Sequence, residues 1–277
     1  MDVKQLVKRA SVVTDSVVHP PVGITVLIYH RVGGGSPSAV DLDADTFDAQ
    51  LAHLAAHHRV ITLEAALAEL ALPSGFGTEG ARAQSTGPAV VITFDDGTAD
   101  FCDVAVPILV RHALPATLYV ATKFIDEVSA FPWGAPPTSW LALRDAASTG
   151  LVAIGSHTHS HWLLDRLDAR TIDDDLDRSI DLIGTHIGVP PRDFAYPKAV
   201  PGSPVAEIAV RRRFRSASLA TSRVNRPGHA DAHRLWRTPI QRDDNAELFA
   251  AKAGGGLRLE GELRALAARV RYRRATR

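Results

Sequence analysis

A regular alternation of short apolar runs with longer amphipathic stretches restricts the fold of this sequence more than any other feature. Residues Ala89–Phe94 are almost uniformly apolar, as is typical of a parallel strand covered on both faces. Phe47, Leu51 and Leu54 follow the spacing of an amphipathic helix. We therefore predict an α/β fold on a parallel sheet, open or closed into a barrel. Further strands are predicted at residues 22–30, 59–62, 116–121, 152–156, 194–196 and 216–220, and a further helix at 63–72.

The chain is long enough to bury a sizeable core, and its composition excludes several classes of protein. It has 277 residues, of which 45% are hydrophobic, and no internal repeat or linker is visible. We predict one domain over residues 23–256, an N-terminal extension over 1–22 and a basic helix or tail over 257–277. Lys+Arg and Asp+Glu both number 31, so no nucleic-acid partner is predicted. The single cysteine, Cys102, excludes an intrachain disulfide.

No targeting or membrane-spanning segment is predicted. The N-terminal residues turn polar at Thr14 and Asp15 before an apolar signal region develops. The apolar run at residues 24–29 is too short to span a bilayer. We therefore expect a cytoplasmic protein. The arginine-rich tail predicts at most a weak peripheral association with anionic lipid, and a solvated tail is the simpler expectation.

Two adjacent carboxylates follow the buried run, in the segment 93–97 (TFDDG). Burying the carboxylates of Asp95 and Asp96 at the end of a strand costs free energy unless a positive group lies nearby or the carboxylates accept protons in a reaction. Consecutive side chains of an extended chain diverge, so one carboxylate can face a metal and the other a substrate. Gly97 permits a tight turn. The alternative is a helix N-cap with a second acid near the helix dipole.

Three histidines stand within five residues, in the segment 157–161 (HTHSH). His157 and His161 are four residues apart, so one helical turn would bring both imidazoles to the same side, where they can share a metal ion. His159 would then point elsewhere. The alternative is a solvated, histidine-rich loop.

Asp96, His157 and His161 together offer two imidazoles and one carboxylate. Three protein ligands and an open position are typical of catalytic zinc, although the same set suits iron, cobalt or nickel. A zinc ion lowers the pKa of bound water to about 7, and Asp95 is then placed to act as general base in amide hydrolysis.

Two other segments are weaker candidates. His30 ends the first long strand, at the same rim as the other sites if the strands are parallel; the alternative is a structural hydrogen-bonding role. Trp133 lies in a loop rich in proline and aromatic residues, which is either a wall over the site or a packed connection.

Taken in order, the segments 93–97 (TFDDG), 157–161 (HTHSH) and 194–197 (FAYP) resemble the successive motifs of polysaccharide deacetylases, the NodB-homology or carbohydrate esterase 4 group. The segment 27–32 (LIYHRV), with its YHxV pattern, resembles the branch that includes biofilm-polysaccharide deacetylases, and so do Phe47 and the pair Ser139-Trp140. The resemblance extends over residues 23–240.

The resemblance implies a single-domain deformed (β/α)7 barrel, similar to a TIM barrel, with its site at the C-terminal ends of the strands. It implies that Asp95 is the catalytic base and that the backbone N–H of Tyr196 helps to hold the oxyanion. The metal ligands that it implies are Asp96, His157 and His161, and the predicted substrate-binding residues are Trp133, Trp140 and Pro197.

The sequence departs from the family pattern at three places. Ala195 stands where many members have an arginine that braces the base, so Arg192, another residue or none serves here. Residues 198–200 (KAV) lack the glycine that often follows the Tyr-Pro pair. The late Leu-x-His motif is absent, so His30 is the predicted general acid, with His159 and His233 as alternatives. Arg237 resembles a recurring family position and is predicted to be structural.

We therefore expect a metal-dependent hydrolase that removes N-acetyl groups from an amino sugar. Two alternatives stay open: a cytosolic hydrolase of another non-peptide C–N bond in a small molecule, and a non-catalytic barrel that binds glycan. The complete set of Asp95, Asp96, His157 and His161 argues against the binding module, which needs no base beside a metal.

Overall fold

A computed structural model describes residues 11, 21–33, 35–73 and 88–263. Its centre is a parallel sheet in which every strand pair runs in the same direction. In chain order the strands are β1 (Ile24–Tyr29), β2 (Arg31–Val32), β3 (Asp41–Leu42), β4 (Arg59–Val60), β5 (Ala89–Phe94), β6 (Ala116–Val120), β7 (Val152–Ser156), β8 (Asp193–Ala195), β9 (Ser216–Ser218) and β10 (Arg237–Pro239).

The main sheet curls into a nearly closed barrel. Its order is β10-β1-β5-β6-β7-β8-β9, and β4 pairs with the beginning of β5. The isolated parallel bridge between Ser218 and Leu235 joins β9 to the segment that leads into β10, so the two ends of the sheet meet. This arrangement confirms the predicted deformed (β/α)7 barrel.

The sequence pattern explains the two central strands. All six residues of β1 and all six of β5 are buried, because side chains of the barrel interior cover one face and helices cover the other. The Thr93 hydroxyl donates to the Leu27 carbonyl at 2.7 Å, which satisfies the only polar side chain of β5. β1 and β5 pair in register over their whole length, from Ile24 with Ala89 to Tyr29 with Phe94.

Helices follow most strands and pack on the outside of the barrel. Most of them begin at a side-chain cap, for example Asp43 or Asp168, whose carboxylate accepts from the backbone N–H three residues later. In chain order they are α1 (Ala44–His57), α2 (Leu63–Leu70), α3 (Val106–His112), α4 (Thr122–Asp126), α5 (Trp140–Ser148), α6 (Ala169–Ile187), α7 (Pro204–Arg213) and α8 (Ala246–Ala253). A π-helical turn, Phe101–Ala105, leads directly into α3.

The strands predicted at 89–94 and 152–156 have the predicted bounds, and the strand predicted at 194–196 is shifted by one residue to Asp193–Ala195. The other predicted strands are present but shorter. The expected helical turn at 157–161 is wrong, because these residues form a loop. Residues 264–277 of the predicted basic helix or tail, and most of the predicted N-terminal extension, lie outside the described residues. Within the described part of the chain, no helix is both long and apolar enough to cross a membrane.

Candidate active site

The two adjacent carboxylates lie at the C-terminal end of β5 and turn toward the same histidine. Asp96 has a φ of +75° and Gly97 a φ of +92°, so the chain reverses sharply after the strand. The two carboxylates have different principal partners: Asp95 pairs with Arg237, whereas Asp96 lies beside His161. Asp95 Oδ2 lies 3.8 Å and Asp96 Oδ1 3.7 Å from Nε2 of His157. A Cβ atom on Gly97 would approach Val120 Cγ1 to 3.1 Å, so the turn also needs a small residue.

The histidine segment follows β7, and left-handed backbone brings its two outer rings together. Thr158 has a φ of +70° and His161 a φ of +61°. Such conformations cost about 1–3 kcal/mol each and persist where the surroundings hold them. Three hydrogen bonds do so here: the His161 N–H donates to Thr158 Oγ1, and the Asp175 carboxylate accepts from the N–H groups of residues 159 and 160. The His157 and His161 ring centroids are 5.0 Å apart.

Asp96, His157 and His161 form a candidate metal centre, the one such group of three or more His, Cys, Asp or Glu residues in the described ranges. Their potential ligand atoms all lie within 4.8 Å of one another. His157 donates from Nδ1 to the Ala195 carbonyl at 2.8 Å, which fixes the ring and directs Nε2 toward the carboxylates. An imidazole that binds a metal through Nε2 is typically held in this way, by a hydrogen bond from Nδ1 to a backbone carbonyl.

The protonation states also suit a metal. Burial lowers the pKa of His157 to about 4, so the ring is neutral near pH 7. Burial raises the pKa of Asp96, but the hydrogen bond and charge of His161 outweigh this effect and hold the pKa below its ordinary value. The neutral His157 ring and the ionised Asp96 carboxylate therefore face the same point as the His161 ring, as a divalent metal with an open coordination position needs.

Asp95 is held by Arg237, a residue more than a hundred positions away in sequence. Nη1 and Nη2 of Arg237 donate to the two carboxylate oxygens at 2.6 and 2.8 Å, and the Arg237 side chain is fully buried. The guanidinium also donates to the Leu219 carbonyl and lies 5.2 Å from the Tyr119 ring centroid. Burial raises the pKa of Asp95, yet the charge of Arg237 dominates the opposing effects and the pKa is lowered. Asp95 is therefore an ionised carboxylate.

Arg237 therefore occupies the bracing position that the sequence left open. Arg192, the candidate named from the sequence, is exposed and pairs with Glu64 at 3.5 Å on the outside of the barrel. Arg237 reaches Asp95 because β10 and β5 both pair with β1. The prediction that Arg237 is structural did not identify Asp95 as its partner. The signal for it was the position of Arg237 at a strand that closes the barrel.

A cavity of about 410 Å³ opens above these groups at the C-terminal rim. His30 lines it, and its Nδ1 atom is buried without a hydrogen-bond partner. His159 instead bonds Thr122 Oγ1, and His233 bonds the Phe214 carbonyl, so neither reaches the cavity. Of the three histidines considered as general acid, His30 alone is in the cavity. The cavity is also lined by Asp95, Asp96, His157, His161, Trp133 and Lys198.

The predicted substrate-binding residues divide between the cavity and other parts of the barrel. Trp133 lines the cavity, with its ring centroid 5.9 Å from that of His161. Trp140 does not reach it: as the first residue of α5, it stacks on His186 of α6 at 4.5 Å. Pro197 is buried beside the cavity, and the next two residues of its turn, Lys198 and Ala199, line the wall.

Tyr196 is buried behind the wall, and its backbone N–H is engaged. It donates to the Ser218 carbonyl at 3.1 Å as part of the contact between the ends of β8 and β9. An oxyanion would therefore have to displace Ser218 from this N–H. Burial raises the pKa of the Tyr196 hydroxyl well above its ordinary range, which excludes a phenolate near neutral pH.

Lys198 and Ala199 stand where relatives in the resembled family often have glycine, and both have a φ of +54°. Glycine adopts this conformation freely, whereas each residue with a Cβ atom is destabilised by about 1–3 kcal/mol. The strained turn places the Lys198 ammonium 4.8 Å from the Trp133 ring centroid. The sequence indicated only that the glycine was missing.

The fold and the site define a class of protein: a parallel α/β barrel with a buried, arginine-paired carboxylate beside an Asp-His-His cluster at its C-terminal rim. A family model for polysaccharide deacetylases matches residues 82–215. This match bears out the family predicted from the motifs over that part of the chain. No curated protein sequence matches this chain.

Solved structures of similar shape include IcaB from Ammonifex degensii, which is 25% identical, has a TM-score of 0.70, and matches over 85% of this chain and 97% of that one. Streptococcus pyogenes deacetylase PplD, solved with acetate, is 21% identical with a TM-score of 0.71, over 84% and 99% of the two chains. A de-N-acetylase from Aggregatibacter actinomycetemcomitans is 20% identical with a TM-score of 0.67, over 83% and 99%. The last two likenesses concern the fold alone.

Proposed function

We propose that this protein is a divalent-metal-dependent hydrolase that removes N-acetyl groups from an amino sugar of a polysaccharide, oligosaccharide or glycoconjugate. The convergence of Asp96, His157 and His161 beside the Asp95–Arg237 pair, at the bottom of one open cavity, carries the proposal. A site that only binds glycan has no use for an ionised carboxylate held next to a metal-ligand set. The match of residues 82–215 to the polysaccharide deacetylase family model supports the same reaction.

We assign zinc to the site as the metal that two imidazoles and one carboxylate suit best, with cobalt, nickel and iron as alternatives. When bound, the ion supplies polarisation of the acetyl carbonyl and lowers the pKa of the attacking water. The protein holds the side chains of the three ligands in orientations that face one point. The His157–Ala195 hydrogen bond orients one ring, and the left-handed backbone at His161 directs the other.

Asp95 is the general base in this proposal. Arg237 keeps it ionised and prevents its rotation by holding both oxygens, so the carboxylate is ready to accept a proton from the attacking water. Water adds to the acetyl carbon, and the C–N bond then breaks to give acetate and a free amine. The departing nitrogen needs a proton, which we assign to His30, whose buried Nδ1 has no partner in the protein.

The decisive experiment combines metal analysis with acetate release from N-acetylglucosamine oligomers. Purified protein should hold about one equivalent of divalent metal, lose activity when a chelator removes it, and regain activity on re-addition. Asp96→Ala should bind no metal and release no acetate. Asp165→Ala is the matched control, because Asp165 pairs with Arg166 in a surface turn outside the cavity. Full acetate release without metal would refute the proposal.

A further inference from the structure

Lys198 is a cation at the active-site cavity that the proposed reaction does not use. It lines the same cavity as His30 and His161. Its Nζ atom lies 4.8 Å from the Trp133 ring centroid, and the Trp133 ring lies 5.9 Å from the His161 ring. The ammonium and a candidate metal ligand therefore both lie against the same indole ring.

The other charged side chains of the cavity already have partners. Asp95 is paired with Arg237, and Asp96 lies 3.3 Å from His161. Arg31, the other long cationic side chain of the lining, lies 3.3 Å from Asp41 and 3.5 Å from Asp100. Across the described ranges, no carboxylate lies within ion-pair distance of Lys198. The cavity therefore carries one positive charge that the described protein does not neutralise.

The lysine is held in its position by both backbone and side-chain contacts. Lys198 and Ala199 keep a left-handed conformation that glycine would adopt without strain. Trp133 is itself braced, because Phe131 stacks on it at 4.9 Å. Phe131 and Lys198 both contact the indole of Trp133. We therefore assign to Trp133 the role of positioning the Lys198 ammonium, in preference to stacking on a sugar ring. Backbone strain that persists beside an active site is a common sign of a functional constraint.

We propose that Lys198 determines substrate specificity by binding an anionic group, a carboxylate or a phosphate, carried on or next to the N-acetylated sugar. This inference rests on the proposed function and narrows its substrate class to anionic glycans. A lysine ammonium is a compact charge that either anion satisfies, unlike the planar fork of arginine. A uronic acid and a sugar phosphate are therefore the two sources of the anion that an experiment must separate.

The kinetic test compares three substrates: a neutral N-acetylglucosamine tetramer, a hyaluronan tetrasaccharide with uronate carboxylates, and N-acetylglucosamine 1-phosphate. Lys198→Met should lower the ratio of kcat/KM for an anionic over the neutral substrate by about fivefold, as expected for a partly exposed ion pair. The loss should shrink at high salt, and Lys198→Arg should retain most of the preference. Lys123→Met is the matched control, since Lys123 lies outside the cavity lining. A loss with one anionic substrate alone identifies its anion.

A binding test separates failure of this inference from failure of the proposed function. The three sugars are titrated into the Asp95→Asn protein, with and without Lys198→Met, and Kd is read from tryptophan fluorescence. If wild-type protein releases no acetate from any of them, the proposed function fails, while tighter binding of an anionic sugar that depends on Lys198 still supports the inference. Equal Kd values for neutral and anionic sugars, or equal weakening of all three by Lys198→Met, would overturn it.

Discussion

The buried pair between Asp95 and Arg237 gives the most quantitative prediction. In Arg237→Met the methionine fills much of the same volume but leaves the Asp95 carboxylate, only 3% exposed, without its counterion. Removing one partner of a buried ion pair typically costs about 3–5 kcal/mol, because the remaining charge is uncompensated. We therefore expect the free energy of unfolding to fall by about that amount at neutral pH, as measured by guanidinium denaturation.

The pH dependence of this loss has a definite sign. In the wild-type protein the lowered pKa of Asp95 stabilises the fold above the unfolded-state pKa, and this contribution disappears as the pH falls through the folded-state pKa. In Arg237→Met burial remains and raises the pKa of Asp95, so protonation relieves the cost. The stability deficit of the variant should therefore be largest near neutral pH and shrink as the pH is lowered.

A double-mutant cycle isolates the interaction from the loss of packing. Asp95→Asn combined with Arg237→Met should give a coupling energy of about 2–3 kcal/mol, since neither charge is left buried alone. The control cycle uses Arg211 and Asp231, a surface pair with both side chains about 41–42% exposed, where about 0.2–1 kcal/mol is expected. The reasoning would be refuted by equal coupling in the two cycles, or by an Arg237→Met protein as stable as the wild type.

Four further outcomes test the site. His157→Ala should abolish tight binding of divalent metal, measured by elemental analysis after dialysis; a full equivalent retained would show that the ligand set is wrong. Asp95→Asn should keep metal but lower turnover by about a hundredfold or more in an acetate-release assay, whereas loss of metal would make Asp95 a ligand. His30→Ala should keep metal, lose most turnover and lose the alkaline limb of the pH–rate profile; turnover near that of the wild type would return His30 to a structural role. In metal-free protein the pKa of His157 is about 4, so below a pH of about 6.5 the unfolded state binds a proton that the folded state does not. The free energy of unfolding should therefore fall as the pH drops from about 6.5 toward about 4, by up to about 1.4 kcal/mol per pH unit, and this slope should flatten in His157→Gln.

The sequence by itself determined the order of strands and helices and the segments that carry the chemistry. Both follow from local physics. The almost uniformly apolar residues Ala89–Phe94 favour a strand that is buried on both faces, so this element can be predicted from local sequence alone. A carboxylate pair directly after such a strand, and histidines after β7, fall at the C-terminal rim once the strands are parallel.

Only the tertiary structure decided which of these groups touch. Arg237 and Asp95 are 142 residues apart, and their contact exists because β1 lies between β10 and β5. His157 and His161 meet through left-handed backbone and not through a helical turn, and Trp140 is removed from the cavity by stacking on α6. Lys198 reaches the cavity through a strained turn that its residue type disfavours. Contacts between distant segments and strained conformations depend on how the whole barrel packs, so local propensity does not reveal them.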